Sequence, residues 1–125
     1  MRSVMCFTNV KRIIVIILAL SLSACSANLD EAFEKTDEFI VQILESGKNI
    51  KEYKIRRGTE KYLKFEKWAR DNEWGWSPTP ATYVPGVVVK SGDYHFNFIG
   101  DGVVLNNPEG QYSKDINKNE YEYFY

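Results

Sequence analysis

Chemistry in a polypeptide needs a reactive side chain and a neighbour that tunes it, and this chain offers few such pairs. Its one histidine is His95, so no two imidazoles can share a zinc ion. No HExxH, CxxC, GxSxG or phosphate-binding loop occurs. Asp93 and Asp101 could meet across a hairpin, but aspartate is also among the commonest turn residues. Asp101 lies between Gly100 and Gly102, a setting weakly suggestive of calcium, yet it lacks the alternating ligands of an EF-hand. His95 falls with Asn97 on the polar side of an alternating segment, where a hydrogen-bonded surface role is the ordinary one. The sequence therefore predicts no catalytic residue, no metal site and no cofactor. One thiol stands in a distinctive setting: Cys25, directly after the small residues Ser23 and Ala24.

That setting begins upstream. Arg2, Lys11 and Arg12 are the only charges before Cys25, and an apolar run of ten residues, Ile13 to Leu22, follows them. This is a signal-peptide layout. The run is too short for a membrane span, which takes about 20 residues. Leu22-Ser23-Ala24-Cys25 closes it and resembles the lipobox of bacterial lipoproteins, a likeness confined to residues 1–25. An ordinary secretory signal cut nearby is the rival reading. The resemblance implies cleavage before Cys25, a thioether-linked diacylglycerol on its sulfur and a further acyl chain, such as palmitate, on its new amino group. At about 0.8 kcal/mol per buried methylene, two or three chains hold a protein on a bilayer where one does not. In enteric-type bacteria an aspartate after the lipidated cysteine retains the protein in the inner membrane. Ser26 stands there, so the likeness implies the outer membrane, facing the periplasm.

Cys6 would leave with the leader and Cys25 would carry lipid, so the mature chain is expected to have neither a free thiol nor a disulfide. The expected division is a signal peptide at 1–24, the lipidated cysteine and a short tether at 25–27, and one α+β domain at 28–125. Removing three positive residues from a chain with 16 Lys and Arg against 17 Asp and Glu leaves 13 against 17, a net charge of −4. The charge is unevenly spread: six acids and one base from Asp30 to Ser46, nine bases and three acids from Gly47 to Arg70, eight acids and three bases beyond. A basic middle suits an acidic partner or anionic headgroups. The plainer reading is that two helical segments neutralise each other's exposed faces. In the compartment that the lipobox implies, no nucleic-acid partner is expected.

The elements that must position these residues follow from periodicity. Asn28 and Glu31 have capping-box spacing. Leu29, Phe33, Ile40, Ile43 and Leu44 make a stripe near period 3.6, and Ser46-Gly47 supplies a left-handed stop, which together predict a first helix. Lys48 to Arg57 fits a short helix or a strand. Thr59 caps a second helix to about Asp71, with Tyr62, Phe65 and Ala69 inward and Lys61, Lys64, Lys67 and Arg70 outward. Trp68, Trp74 and Trp76 crowd one stretch, and Trp74-Gly75-Trp76 reads as a loop, either a lid over the core or an exposed platform. Ser77-Pro78-Thr79-Pro80 forces an extended connection. Period two then takes over at Tyr83 to Lys90, Tyr94 to Phe98, Val103 to Leu105 and Gln111 to Ile116, with the aromatic tail Tyr121 to Tyr125 as a fifth strand or an ordered end.

The predicted fold is thus α+β, two N-terminal helices followed by an antiparallel meander of three to five strands. That order resembles small immunity-type proteins. The resemblance implies a noncatalytic module that binds a protein partner, a toxin; read from the residues themselves, its contact surface combines the exposed sheet face with the tryptophan loop, through Trp74, Trp76, His95 and Asn97. An accessory subunit of an outer-membrane envelope complex is the alternative. The small lipoprotein of the barrel-assembly complex has a similar element order, but its Gly-Met-Thr turn and Leu-Gly-x-Pro motif are absent here. A glycan-binding module, stacking sugar on an exposed Trp74-Gly75-Trp76, is a third reading.

Overall fold

The computed structural model describes residues 25–26 and 29–125. The leader assigned to 1–24, Ala27 of the tether and the Asn28 half of the expected capping box lie outside the described residues. Within them the fold is mainly β, which corrects the α+β expectation. A seven-stranded antiparallel sheet carries two short helices, and a two-residue strand extends one edge.

The predicted first helix is mostly a strand. After a short helix α1 (Asp30–Glu34) the chain turns at Thr36-Asp37 and enters β2 (Glu38–Glu45), which pairs with β3 (Lys48–Arg56) as a hairpin. Phe39, Val41 and Ile43 are buried in strict alternation along β2, and β-branched residues favour that extended backbone. Ile40 and Leu44 lie on the opposite face, half-buried, and so complete a false helical stripe. The hairpin turn is Ser46-Gly47 with φ of 53° and 81°. Two consecutive positive φ values define a type I′ turn, and they make the same demand for left-handed residues as a helix stop.

Helix α2 (Glu60–Asp71) forms where the pattern predicts it and buries Tyr62, Phe65, Trp68 and Ala69. It connects β3 to β4 (Trp74–Pro78). The chain then forms the meander β5 (Val87–Ser91), β6 (Tyr94–Ile99), β7 (Gly102–Asn107) and β8 (Gly110–Asp115). Across the sheet the order is β4-β8-β7-β6-β5-β2-β3, and β1 (Cys25–Ser26) pairs with the outer side of β4. Strands β3 and β4 therefore occupy opposite edges, and α2 crosses one face of the sheet between them. There Phe65 meets Phe39 and Phe96 edge-on at 5.2 and 5.0 Å, and Trp68 meets Phe98 at 5.3 Å.

The tail is neither a strand nor exposed. Two 3-10 turns, Lys118–Glu120 and Glu122–Phe124, fold it under α2, burying Tyr121 and Phe124. Tyr121 stacks on Phe98 at 4.8 Å and donates its hydroxyl to the Gly100 carbonyl at 2.9 Å. Trp68 Nε1 donates to Glu120 at 2.9 Å.

The opposite face of the meander is closed by the 79–86 connection, which must pass over β8, β7 and β6 to reach β5. A chain of amides fastens it. Gln111 Nε2 donates to the Thr79 and Ala81 carbonyls at 3.0 and 2.9 Å, and Asn106 Nδ2 donates to Gln111 at 2.9 Å. Asn106 Oδ1 accepts from the Tyr83 hydroxyl at 2.9 Å and from Asn97 Nδ2 at 3.1 Å, and Asn97 also donates to the Val104 carbonyl at 3.0 Å. With this strap in place, Val88, Asn97 and Val104 are buried although they point away from α2.

Removing a shared amide leaves buried groups without partners, which costs about 1–3 kcal/mol. Asn106→Ala should lower unfolding free energy by about that amount in a urea titration and open residues 79–86 to protease in the native state. An unchanged midpoint together with an uncut strap would show that something else holds it.

Candidate functional site

The residues singled out by sequence fall in three different places. Asn97 belongs to the amide chain under the strap, 6% exposed. His95 is half-buried on the same face and its carbonyl is 3.4 Å from Asn97 Nδ2. The strap covers part of the sheet face expected to receive a partner, so Asn97 has a structural task. Trp76 is fully buried and donates Nε1 to the Asn72 carbonyl at 2.7 Å. Trp74 is the exception, with 64% of its surface exposed.

One glycine separates the fates of these two tryptophans. Residues two apart on a regular strand share a face, but Gly75 has φ of +94° and breaks the alternation inside β4. Trp76 turns into the core and Trp74 turns out. Lys114 Nζ donates to the Trp74 carbonyl at 2.5 Å and lies 2.8 Å from where a side chain at position 75 would begin.

Asp93 and Asp101 do not meet. They sit in turns at the two ends of β6, whose six residues span about 20 Å. Among the described residues no three His, Cys, Asp or Glu side chains gather as metal ligands would. A cleft of about 370 Å³ between α1 and α2 is lined by Arg57 and Arg70 with Asp30, Glu34, Glu66 and Glu73. Its arginines are already engaged: Arg57 donates to the Phe33 and Thr36 carbonyls at 2.8 and 2.6 Å, and Arg70 pairs with Glu66 at 3.1 Å.

A longer open surface lies along the β3 edge. Among the described residues strand β3 pairs with β2 alone, and seven of its nine residues are exposed. Towards α2 it carries Lys51 and Tyr53. Lys51 and Lys61 lie 5.4 and 4.7 Å from the Tyr53 ring centre, and Lys61 also donates to the Tyr53 hydroxyl at 3.2 Å. Lys64 lies 5.1 Å from the ring of Tyr123. The Tyr53 hydroxyl in turn donates to the Phe124 carbonyl, joining strand to tail. Burial pushes both phenols above their ordinary range, strongly so for Tyr123. A groove of about 540 Å³, lined by Tyr53, Lys54, Ile55, Arg56, Thr59, Glu60 and Lys61, runs beside this edge.

Five of the nine bases of the middle segment are paired, three with Asp37 and Glu38 of the acidic segment before it, which is a strand and not a facing helix, and two within α2. Lys54 and Arg56 share Glu38 at 3.5 and 3.4 Å, Arg57 pairs with Asp37 at 3.2 Å, and Lys67 with Asp71 at 2.9 Å. Lys51, Lys61 and Lys64 form no ion pair with any described carboxylate. Their ammonium groups rest on tyrosine rings, a contact worth roughly 0.5–1 kcal/mol at exposed sites. The excess of bases from Gly47 to Arg70 was the sequence signal for this shelf. The tyrosines that complete it come from a strand and a tail far apart in the chain.

No family model matches this chain, nor does any curated protein or solved structure.

The backbone at Gly75 makes a graded prediction. Forcing a residue with a Cβ into the left-handed region costs roughly 1–2 kcal/mol, so Gly75→Ala should lose about that much stability in chemical denaturation. Trp76→Ala should lose about 3–5 kcal/mol, whereas Trp74→Ala should change stability by no more than about 0.5 kcal/mol. A Trp74 variant as damaged as the Trp76 variant would refute this division of roles.

Proposed function

We propose that this chain is a lipid-anchored, noncatalytic protein-binding module of the immunity type, held to a bilayer through Cys25 and engaging its partner at the β3 edge. The observation that carries the binding half is the cluster of Lys51, Lys61 and Lys64 on Tyr53 and Tyr123, beside a strand that has no neighbour on its outer side among the described residues. Lysines along an edge keep a second copy of the same strand from adding, because like charges would face each other. The same charges favour an acidic partner, and charge complementarity speeds encounter as well as selecting it. The net negative charge of the rest of the domain discourages acidic partners elsewhere. The anchoring half is supported by Leu22-Ser23-Ala24-Cys25 and the charged and apolar segments before it.

On this reading the partner is a toxin that the domain neutralises by binding, a role that requires no reactive group of its own.

Two measurements test the two halves separately. Intact-mass analysis of the membrane-extracted protein should find an N-terminus at Cys25 carrying a diacylglycerol and an acyl chain; a bare thiol would refute the anchor. A photo-reactive residue replacing Lys51 in the full-length protein should capture one discrete envelope protein, identifiable as a toxin. The same residue at Val84, 65% exposed on the strap, should not. Adding Lys61→Glu and Lys64→Glu should abolish capture, while the loss of their two tyrosine contacts lowers stability by only about 1–2 kcal/mol and leaves a cooperative urea transition. Equal labelling from both positions would sink the edge as the binding face, and capture of a resident assembly subunit would overturn the immunity-type reading.

A further inference from the structure

We propose that Trp74 is a second, noncovalent contact with the bilayer, seated among phospholipid headgroups beside the acyl chains on Cys25. This rests on the lipoprotein reading of Cys25 and adds an orientation to it. Strand β1 pairs with β4 so that Cys25 stands opposite Trp76 and Ser26 opposite Trp74. Opposed residues in an antiparallel pair have Cα atoms roughly 4.5–5.5 Å apart. The acylated residue is thus within one strand spacing of β4, and the tether that sequence placed between anchor and domain is partly taken up into the sheet. A lipid attached there brings the β4 edge to the membrane surface. The large apolar side chain at that edge is Trp74, 64% exposed, while Trp68 and Trp76 are 8% and 0% exposed in the core.

Its outward direction is built into the backbone by the positive φ of Gly75, and Lys114 holds its carbonyl. An indole has an apolar body and one N–H donor, which suits the headgroup layer better than water or hydrocarbon; tryptophans gather at that depth in membrane proteins. The Lys114 ammonium supplies a positive charge at the same edge, where anionic headgroups attract lysine. A bilayer is the occupant favoured over a protein because the anchor delivers it to this position whatever else binds.

The test uses the lipidated full-length protein and its Trp74→Phe variant in vesicles of phosphatidylcholine with a minority of phosphatidylglycerol, made with and without bromines near the carbonyl end of the acyl chains. Flotation reports the anchor, and bromine quenching reports the indole. Both proteins should float. The emission lost in Trp74→Phe should be the component that bromine quenches, and it should shift to the blue on binding vesicles. Floating protein whose Trp74 component is neither quenched nor shifted overturns the proposal and leaves the anchor intact; it would return Trp74 to a protein or glycan contact. Protein that fails to float overturns the lipoprotein reading and this proposal with it.

Discussion

The fold depends on one layer of aromatic rings between α2 and the sheet. Phe65 is its centre: fully buried, it faces Phe33 of α1, Phe39 of β2, Trp68 of its own helix, Phe96 of β6 and Phe124 of the tail at centroid distances of 5.0 to 6.0 Å. Most of these contacts are tilted or edge-on, the arrangements in which ring quadrupoles attract. A single side chain therefore links the first helix, the hairpin, the meander and the C-terminus. Each of those segments is short, and none buries much apolar surface without the others.

This cooperativity explains which parts of the structure were legible in the sequence. Helix α2 and the strands β6 to β8 have local patterns matching their local structures, whereas the strand expected from Tyr83 begins only at Val87, residues 83–86 being drawn into the strap. Residues 38–45 did not yield to it, because Ile40 and Leu44 on the outer face gave the strand a second apolar side and Ser46-Gly47 satisfied helix and hairpin rules alike. The tail was equally opaque. Tyr121 and Phe124 are fixed by Phe98, Phe65 and the Gly100 carbonyl, all distant in sequence. For the candidate surface, the basic block was visible as a charge imbalance, but the pairing of Lys61 with Tyr53 and of Lys64 with Tyr123 exists only after α2 has packed.

The amide strap has a parallel effect on where function can reside. One face of the meander belongs to α2 and the tail, and much of the other belongs to residues 79–86. Asn97 and Asn106 look like surface polar residues in the sequence and serve as fasteners in the fold. A meander so largely covered leaves its sheet's edges to present, and the two edges here differ in kind: β3 is long, basic and, among the described residues, open on its outer side, whereas β4 is short and already capped by β1.

That difference has a mechanical side. Cys25 and β3 sit at opposite ends of the strand order, so a pull between them runs across the strands and loads the ladders one after another instead of all together. The two ladders at the Cys25 end are the thinnest, with two residue pairs each, and of these the weaker is β1–β4, whose register is irregular. It would peel first, paying out a few residues of slack while Phe65 and its neighbours stay packed. If the chain is moored at Cys25 and pulled at β3, as proposed, the two-residue strand would act as a fuse ahead of the longer ladders.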